Sequence, residues 1–251
     1  MRRIAGIYNY CNRWCERCPL GHRCAVNSRH SGDEEWLDNL SKKMEDAAQN
    51  APEESPDPNR EAPLEEQAPS DEEWKQMMEG KPQRPGPDRN LQNHPLIKEC
   101  LRLMGPWQQL IDQVDEHWTQ HVKKGEWSPS LLEKPAAIAV DNAQEVLHWY
   151  QPFFYPKISR ALMGQQETSA SPEDWQSDWN GTAKVVLLGV KHCQKAAEAL
   201  LFHLPQLEDP GLAFLAALQA WEKNLQQQFP HAQCFIRPGF DTLGIEENYG
   251  L

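Results

Sequence analysis

The sequence predicts a mainly α-helical protein: a four- or five-helix bundle with a small Cys-rich module at its N-terminus and an acidic, Pro-rich linker between the two. Three observations predict it. Apolar residues recur at helical spacing from Leu91 to Phe229, with no alternation long enough for a sheet. Four cysteines fall between Cys11 and Cys24, in a segment too short to fold on apolar burial alone. Charge also reverses along the chain: residues 1–30 hold six Arg against Glu16 alone, a net of about +5, whereas residues 31–90 sum to roughly −10.

Residues 1–30 form the Cys-rich module and residues 31–90 the linker. Within the linker, GDEEWLDNLSKKMEDA carries a thin apolar stripe of Trp36, Leu37, Leu40 and Met44, the pattern of one exposed helix. Residues 51–90 are so rich in Pro, Glu, Asp and Gln that burial cannot offset the entropy of ordering them, and they read as flexible.

The bundle occupies residues 91–251. Its first helix carries Leu96, Ile97, Cys100, Leu101, Met104, Trp107, Ile111, Val114 and Trp118, with Gly105-Pro106 expected to kink or split it. A second helix starts after Pro135 and runs past Tyr150; Pro152 and Pro156 break or bend its continuation toward Leu162. A third covers about Asp178 to Leu204. Its run VVLLGV is apolar on every side, which makes it the central helix, and Gly181 and Gly189 suit close approach by a neighbour. A fourth begins with Asp209 as N-cap and Pro210 at the first helical position, ending near Phe229-Pro230. The tail CFIRPGFDTLG reads as extended, packing back on the bundle.

Composition narrows the function classes. Only 39% of residues are hydrophobic, too few for a chain packed throughout, yet ten Trp require a real core somewhere. A net charge of −12 excludes a general nucleic-acid binder; only residues 1–30 are basic enough to meet phosphate. No apolar run reaches the length of a membrane span. The start MRRIAGIYNYC lacks the apolar stretch of a signal peptide, so the expected location is cytoplasmic. Clustered thiols in that reducing compartment read as metal ligands rather than disulfides, and seven cysteines cannot all pair.

The candidate ligands are Cys11, Cys15, Cys18 and Cys24, in the pattern C-x3-C-x2-C-x5-C. Structural zinc usually takes its four thiolates from two separated C-x2-C knuckles, and only one is present. An iron–sulfur cluster is wider, takes one thiolate per iron and tolerates crowded runs; a Pro after a cysteine, as at Pro19, also occurs beside such clusters. The expected cofactor is therefore a 4Fe–4S cluster, with zinc as the alternative, and the nearby Arg residues offset the charge of the thiolates. His22 is the one residue able to replace a thiolate, with His30 a surface histidine.

Three resemblances attach to these residues. The Cys15-x2-Cys18-x5-Cys24 spacing is similar to the iron–sulfur clamp of RecB-like nucleases, whose catalytic Asp and Glu-x-Lys motif is not visible here. The Cys11-x3-Cys15-x2-Cys18 part looks like the radical S-adenosylmethionine signature, but that family needs an α/β barrel and an iron without a fourth cysteine. Over a longer stretch, YNYCNRWCERCPLGHRC, an acidic spacer and a helical region with NGTAKVVLLGV resemble bacterial proteins of unassigned function, which implies the organisation and no activity.

In the bundle, Asp141, Glu145 and His148 fall on one helix face, and Glu145-x2-His148 is the ligand pair of di-iron bundles. A second such pair is missing, so a polar helix face is expected. Lys184 precedes the apolar run and must pair if buried, with Asp141 or Glu145 as expected partners. Cys100 and Cys193 read as small buried hydrophobes. The leading expectation is a metal-binding, iron–sulfur accessory or sensor protein whose bundle meets a protein partner. The alternatives are an enzyme with its site around Asp141, Glu145, His148 and Lys184, or a nucleic-acid-associated protein acting through the Arg-rich module.

Overall fold

The computed structural model describes residues 2–27, 41–43, 89–126, 128, 130, 133–167, 174–247 and 249–250. Residues 1–28 and 89–251 form one compact unit, and residues 29–88 form another. In the second unit, residues 41–43 are helical. The rest of the helix expected over residues 31–50, and the linker after it, lie outside the described residues.

The first unit is mainly helical, and no strand occurs among its described residues. Five long helices make its body: α1 (Pro95–Lys123), α2 (Pro135–Tyr150), α3 (Phe154–Glu167), α4 (Asp178–His203) and α5 (Glu208–Gln228). A single turn, Arg89–Gln92, precedes α1, and a short helix, α6 (Phe240–Leu243), follows α5. Helix α4 packs against α2, α3 and α5, while α1 lies on α5 and α3. The central place of α4 follows from its composition: from Trp179 to Val190 only Lys184 and Leu188 are not buried. No helix among the described residues is long and apolar enough to cross a membrane.

Helix α1 begins with Pro95 at its first position, and the His94 ring accepts from the Leu96 N–H at 3.3 Å. It runs unbroken through Gly105-Pro106, where the sequence suggested a kink or a split. An interior proline costs a helix about 3 kcal/mol. Burial of Leu103, Trp107, Leu110 and Ile111 around it offsets that cost, since each large apolar side chain contributes roughly 1.5–3 kcal/mol. Trp107 is the hub: its ring lies 5.4 Å from that of Phe154 and 5.1 Å from that of Phe214. Helix α5 starts at Glu208, one residue before the expected cap, because a 3-10 turn at Pro205–Leu207 leads directly into it.

The glycines of α4 admit rings. A Cβ at Gly189 would stand 2.7 Å from ring carbons of Tyr150 and Phe154, and one at Gly181 2.6 Å from Tyr10 and Phe235. Gly181 thus receives one ring from the N-terminal segment and one from the tail. The tail is not extended: it forms a 3-10 turn at Ala232–Cys234 and then α6. Ile7, Leu20, Cys24 and Phe240 make a second small apolar core, with Ile4, Cys11, Cys18, Val26 and Ile245 against it. Gly239, at φ +84, holds the chain where a Cβ would meet Ile4 and Ile7 at 3.0 Å.

Candidate metal centre

Residues 2–27 contain three 3-10 turns, Ile7–Asn9, Cys15–Arg17 and Gly21–Arg23. The last two belong to one ladder of three-residue steps. Cys18 N–H donates to the Cys15 carbonyl at 3.3 Å, Gly21 to Cys18 at 3.2 Å, and Cys24 to Gly21 at 3.1 Å. Cys18 and Cys24 are themselves extended, each closing a 3-10 turn, so the ladder is a chain of hydrogen-bonded turns with Gly21 at the step between them. A Cβ there would meet Asn27 Nδ2 at 2.7 Å. Cys11 precedes the ladder, its Sγ donating to the Tyr8 carbonyl at 3.6 Å. All four cysteines line one small cavity of ≈ 20 Å³, together with Gly21, Asn27 and Phe240.

Burial pushes the thiols of Cys11 and Cys15 up and takes Cys18 to about 11; the neighbouring sulfurs add to the effect at Cys15 and Cys18. Thiols in this state are protonated at neutral pH, so a metal must displace their protons to bind. Among the described residues, no three His, Cys, Asp or Glu side chains group tightly enough to hold a single metal ion. The four thiols share a wall but are not drawn together as tetrahedral zinc at about 2.3 Å from each sulfur requires. His22 is exposed and does not line the cavity. His30 lies outside the described residues.

The segment docks on the helical body through Asn12, Trp14 and Arg17. Asn12 is buried and donates from Nδ2 to the hydroxyls of Tyr150 (3.2 Å) and Tyr249, while its Oδ1 accepts from the Trp14 N–H at 3.0 Å and its carbonyl from Trp149 Nε1 at 3.0 Å. The Trp14 ring stacks on Trp149 (5.0 Å between centres, 13° between planes) and on Tyr249 (5.1 Å, 21°). Arg17 covers Trp14 at 4.8 Å and bonds Glu145, Asn142 Oδ1 (3.0 Å) and the Tyr249 carbonyl (3.2 Å). Behind this seam, Tyr150 O–H meets His192 Nδ1 at 3.0 Å. Burial, with Lys195 and Arg237 nearby, pulls the His192 imidazole down to about 4.

The enzyme alternative would draw Asp141, Glu145, His148 and Lys184 together, and the structure places Lys184 apart from the other three. Glu145 pairs with Arg17 rather than Lys184. Lys184 donates to Asp241 at 2.6 Å and to the Phe235 carbonyl at 2.5 Å, because the tail folds over its end of α4. Asp141 and His148 are exposed. Elsewhere in the helical body Glu99 accepts from Asn224, and Glu222 from Gln194 and Gln226. Cys100 and Cys193 are fully buried in the main core.

Two features have no counterpart in the sequence reading. The tail closes the site through Tyr249 and Phe240. Lys157, on α3, is also buried (9% exposed), with its Nζ 5.1 Å from the Phe153 ring centre. Burial draws its ammonium down to about 8; the sulfur of Cys11 opposes this and Arg13 and Arg160 reinforce it. Its position, three after Phe154 and four before Ala161 on the buried face of α3, was the available signal.

No family model, no curated protein and no solved structure matches this chain.

Proposed function

We propose that residues 2–27 hold an inorganic centre, a 4Fe–4S cluster, through Cys11, Cys15, Cys18 and Cys24, and that the protein is a metal-dependent accessory or sensor protein acting on a protein partner. One observation carries the reading: four thiols from a segment with little core of its own line a single cavity, three of them at steps of one backbone hydrogen-bond ladder. A cluster that takes one thiolate per iron suits a crowded run of four cysteines with a single C-x2-C knuckle, whereas structural zinc usually takes two separated knuckles. Such a centre supplies one-electron chemistry and binds the loop's ends together. Its presence is felt in the helical body because Asn12, Trp14 and Arg17 alternate with the ligands along the same short segment.

The test is metal and sulfide analysis of anaerobically purified protein, with its visible spectrum. About four iron and four sulfide per chain with a brown colour support the cluster. One zinc per chain in a colourless protein replaces the cluster with a structural ion and keeps the site. Neither metal, in protein whose Cys18→Ser and Cys24→Ser variants melt as the parent does, removes the proposal.

A further inference from the structure

A second cavity, ≈ 450 Å³, lies where Asn12 and Arg13 of the cysteine loop face the corner between α2 and α3. We propose that it binds a small organic anion with a flat apolar body, the anionic group received by Lys157 and Arg13 and the body by Trp149 and Phe153. The volume falls in the range of small-molecule sites. Its lining includes Lys157, Arg13, Arg160 and His148 and no Asp or Glu. Arg160 is already matched, donating to both oxygens of Asp178 at 3.0 Å. Lys157 is not: among the described residues no hydrogen-bond acceptor or carboxylate reaches its ammonium directly, which lies over the Phe153 ring, while Cys11 and Asp178 act on it only from farther off. A buried cation without a partner is costly, and a ring face offsets a small part of that cost. Arg13 adds a second cation on a strained backbone. It has φ +63, the one non-Gly residue with positive φ among those described, and is held between Asn12 and its own carbonyl's bond from the Cys15 N–H at 3.0 Å. The rest of the wall is apolar and aromatic: Trp149, Pro152, Phe153 and Pro156. This assignment rests on the second cavity and holds whichever centre the cysteines carry.

The experiment compares 2-naphthoate with its neutral isostere naphthalene-2-carboxamide by isothermal titration calorimetry on the full chain as purified. The expected result is saturable binding of one naphthoate per chain, with the carboxamide about tenfold weaker or more, as loss of a charge-assisted hydrogen bond requires. Lys157→Met keeps the stem and removes the charge; it should weaken naphthoate about tenfold and leave the carboxamide unchanged, whereas Lys157→Arg retains binding. Arg13→Asn, at an exposed position that tolerates φ > 0, is the second variant and should cost naphthoate several-fold, also if Lys157→Met fails to fold. Absence of saturable naphthoate binding, equal affinity for acid and amide, or parental affinity in the variants would overturn the assignment.

Discussion

Replacing Trp14 by Ala removes the plate on which the cysteine loop rests. Trp14 is 8% exposed and its ring meets Trp149, Tyr249 and the Arg17 guanidinium. A Trp buries about 150–250 Å², which at ~25 cal/mol per Å² is roughly 4–6 kcal/mol. Large aromatic-to-Ala changes in cores cost about 3–5 kcal/mol, so a loss near 4 kcal/mol is expected. Where that loss appears depends on cooperativity. If the loop and helices unfold together, the melting temperature falls by about 8–16 °C, at 2–4 °C per kcal/mol for a unit of this size. If the loop opens alone, the melt barely moves but the open population rises about a thousandfold. Thiol labelling of metal-free protein separates the two. Cys234 is exposed and labels rapidly in every variant; Cys100 and Cys193 are fully buried and label only on global unfolding; Cys11, Cys15 and Cys18 report the loop. A Trp14→Ala protein that melts within 2 °C of the parent (about 1 kcal/mol or less) and labels its loop cysteines at the parental rate would refute the docking described here.

Further predictions concern the helical body. The His192 imidazole is held at about 4, below its ordinary value, so the unfolded chain binds more protons as pH falls from 6.5 toward 4. Stability is therefore full above pH 6.5 and declines through that window by up to about 3 kcal/mol; urea melts at pH 7 and 4.5 should show the decline, and His192→Gln should flatten it. Gly189→Ala forces a methyl 2.7 Å from two rings and should lower stability by about 1–3 kcal/mol despite better helix propensity. Calorimetry should read that loss as a lowered melting temperature. Glu247→Gln strips one partner from Arg237, whose side chain is 5% exposed and also contacts Asp241 at 3.3 Å. The cost should be about 2–3 kcal/mol in denaturant titration, below that of a wholly abandoned buried charge because Asp241 remains.

The parts of this structure legible in the sequence are those set by local spacing. The apolar run of α4 required a central helix, and its two glycines announced close approach, although rings rather than a neighbouring backbone fill them. The C-x2-C-x5-C spacing contains the ladder, since steps of three and six residues are multiples of the 3-10 period. What spacing cannot carry is the identity of partners distant in sequence. Lys184 pairs with Asp241 rather than a carboxylate of α2, because the tail, which looked extended, bends at Gly239 and brings α6 to the end of α4. Arg17 reads as one of a cluster of cations beside the thiols, yet Glu145 takes it. Gly105-Pro106 reads as a kink or a split, and α1 is not split there, burial on both sides holding the helix continuous. Asn12 gives no sign that its hydrogen bonds organise the seam, because its partner Tyr249 stands 237 positions away.

That separation imposes an order on biosynthesis. Translation adds about 5–20 residues per second, so roughly 10–50 s separate emergence of Asn12 from emergence of the tyrosine that clasps it. Through nearly all of that interval the sulfurs lack the ring of Phe240, which lines their cavity in the folded chain, and Asn12 lacks the hydroxyl of Tyr249. The stretch around Tyr249 is thus translated long after the one it seals.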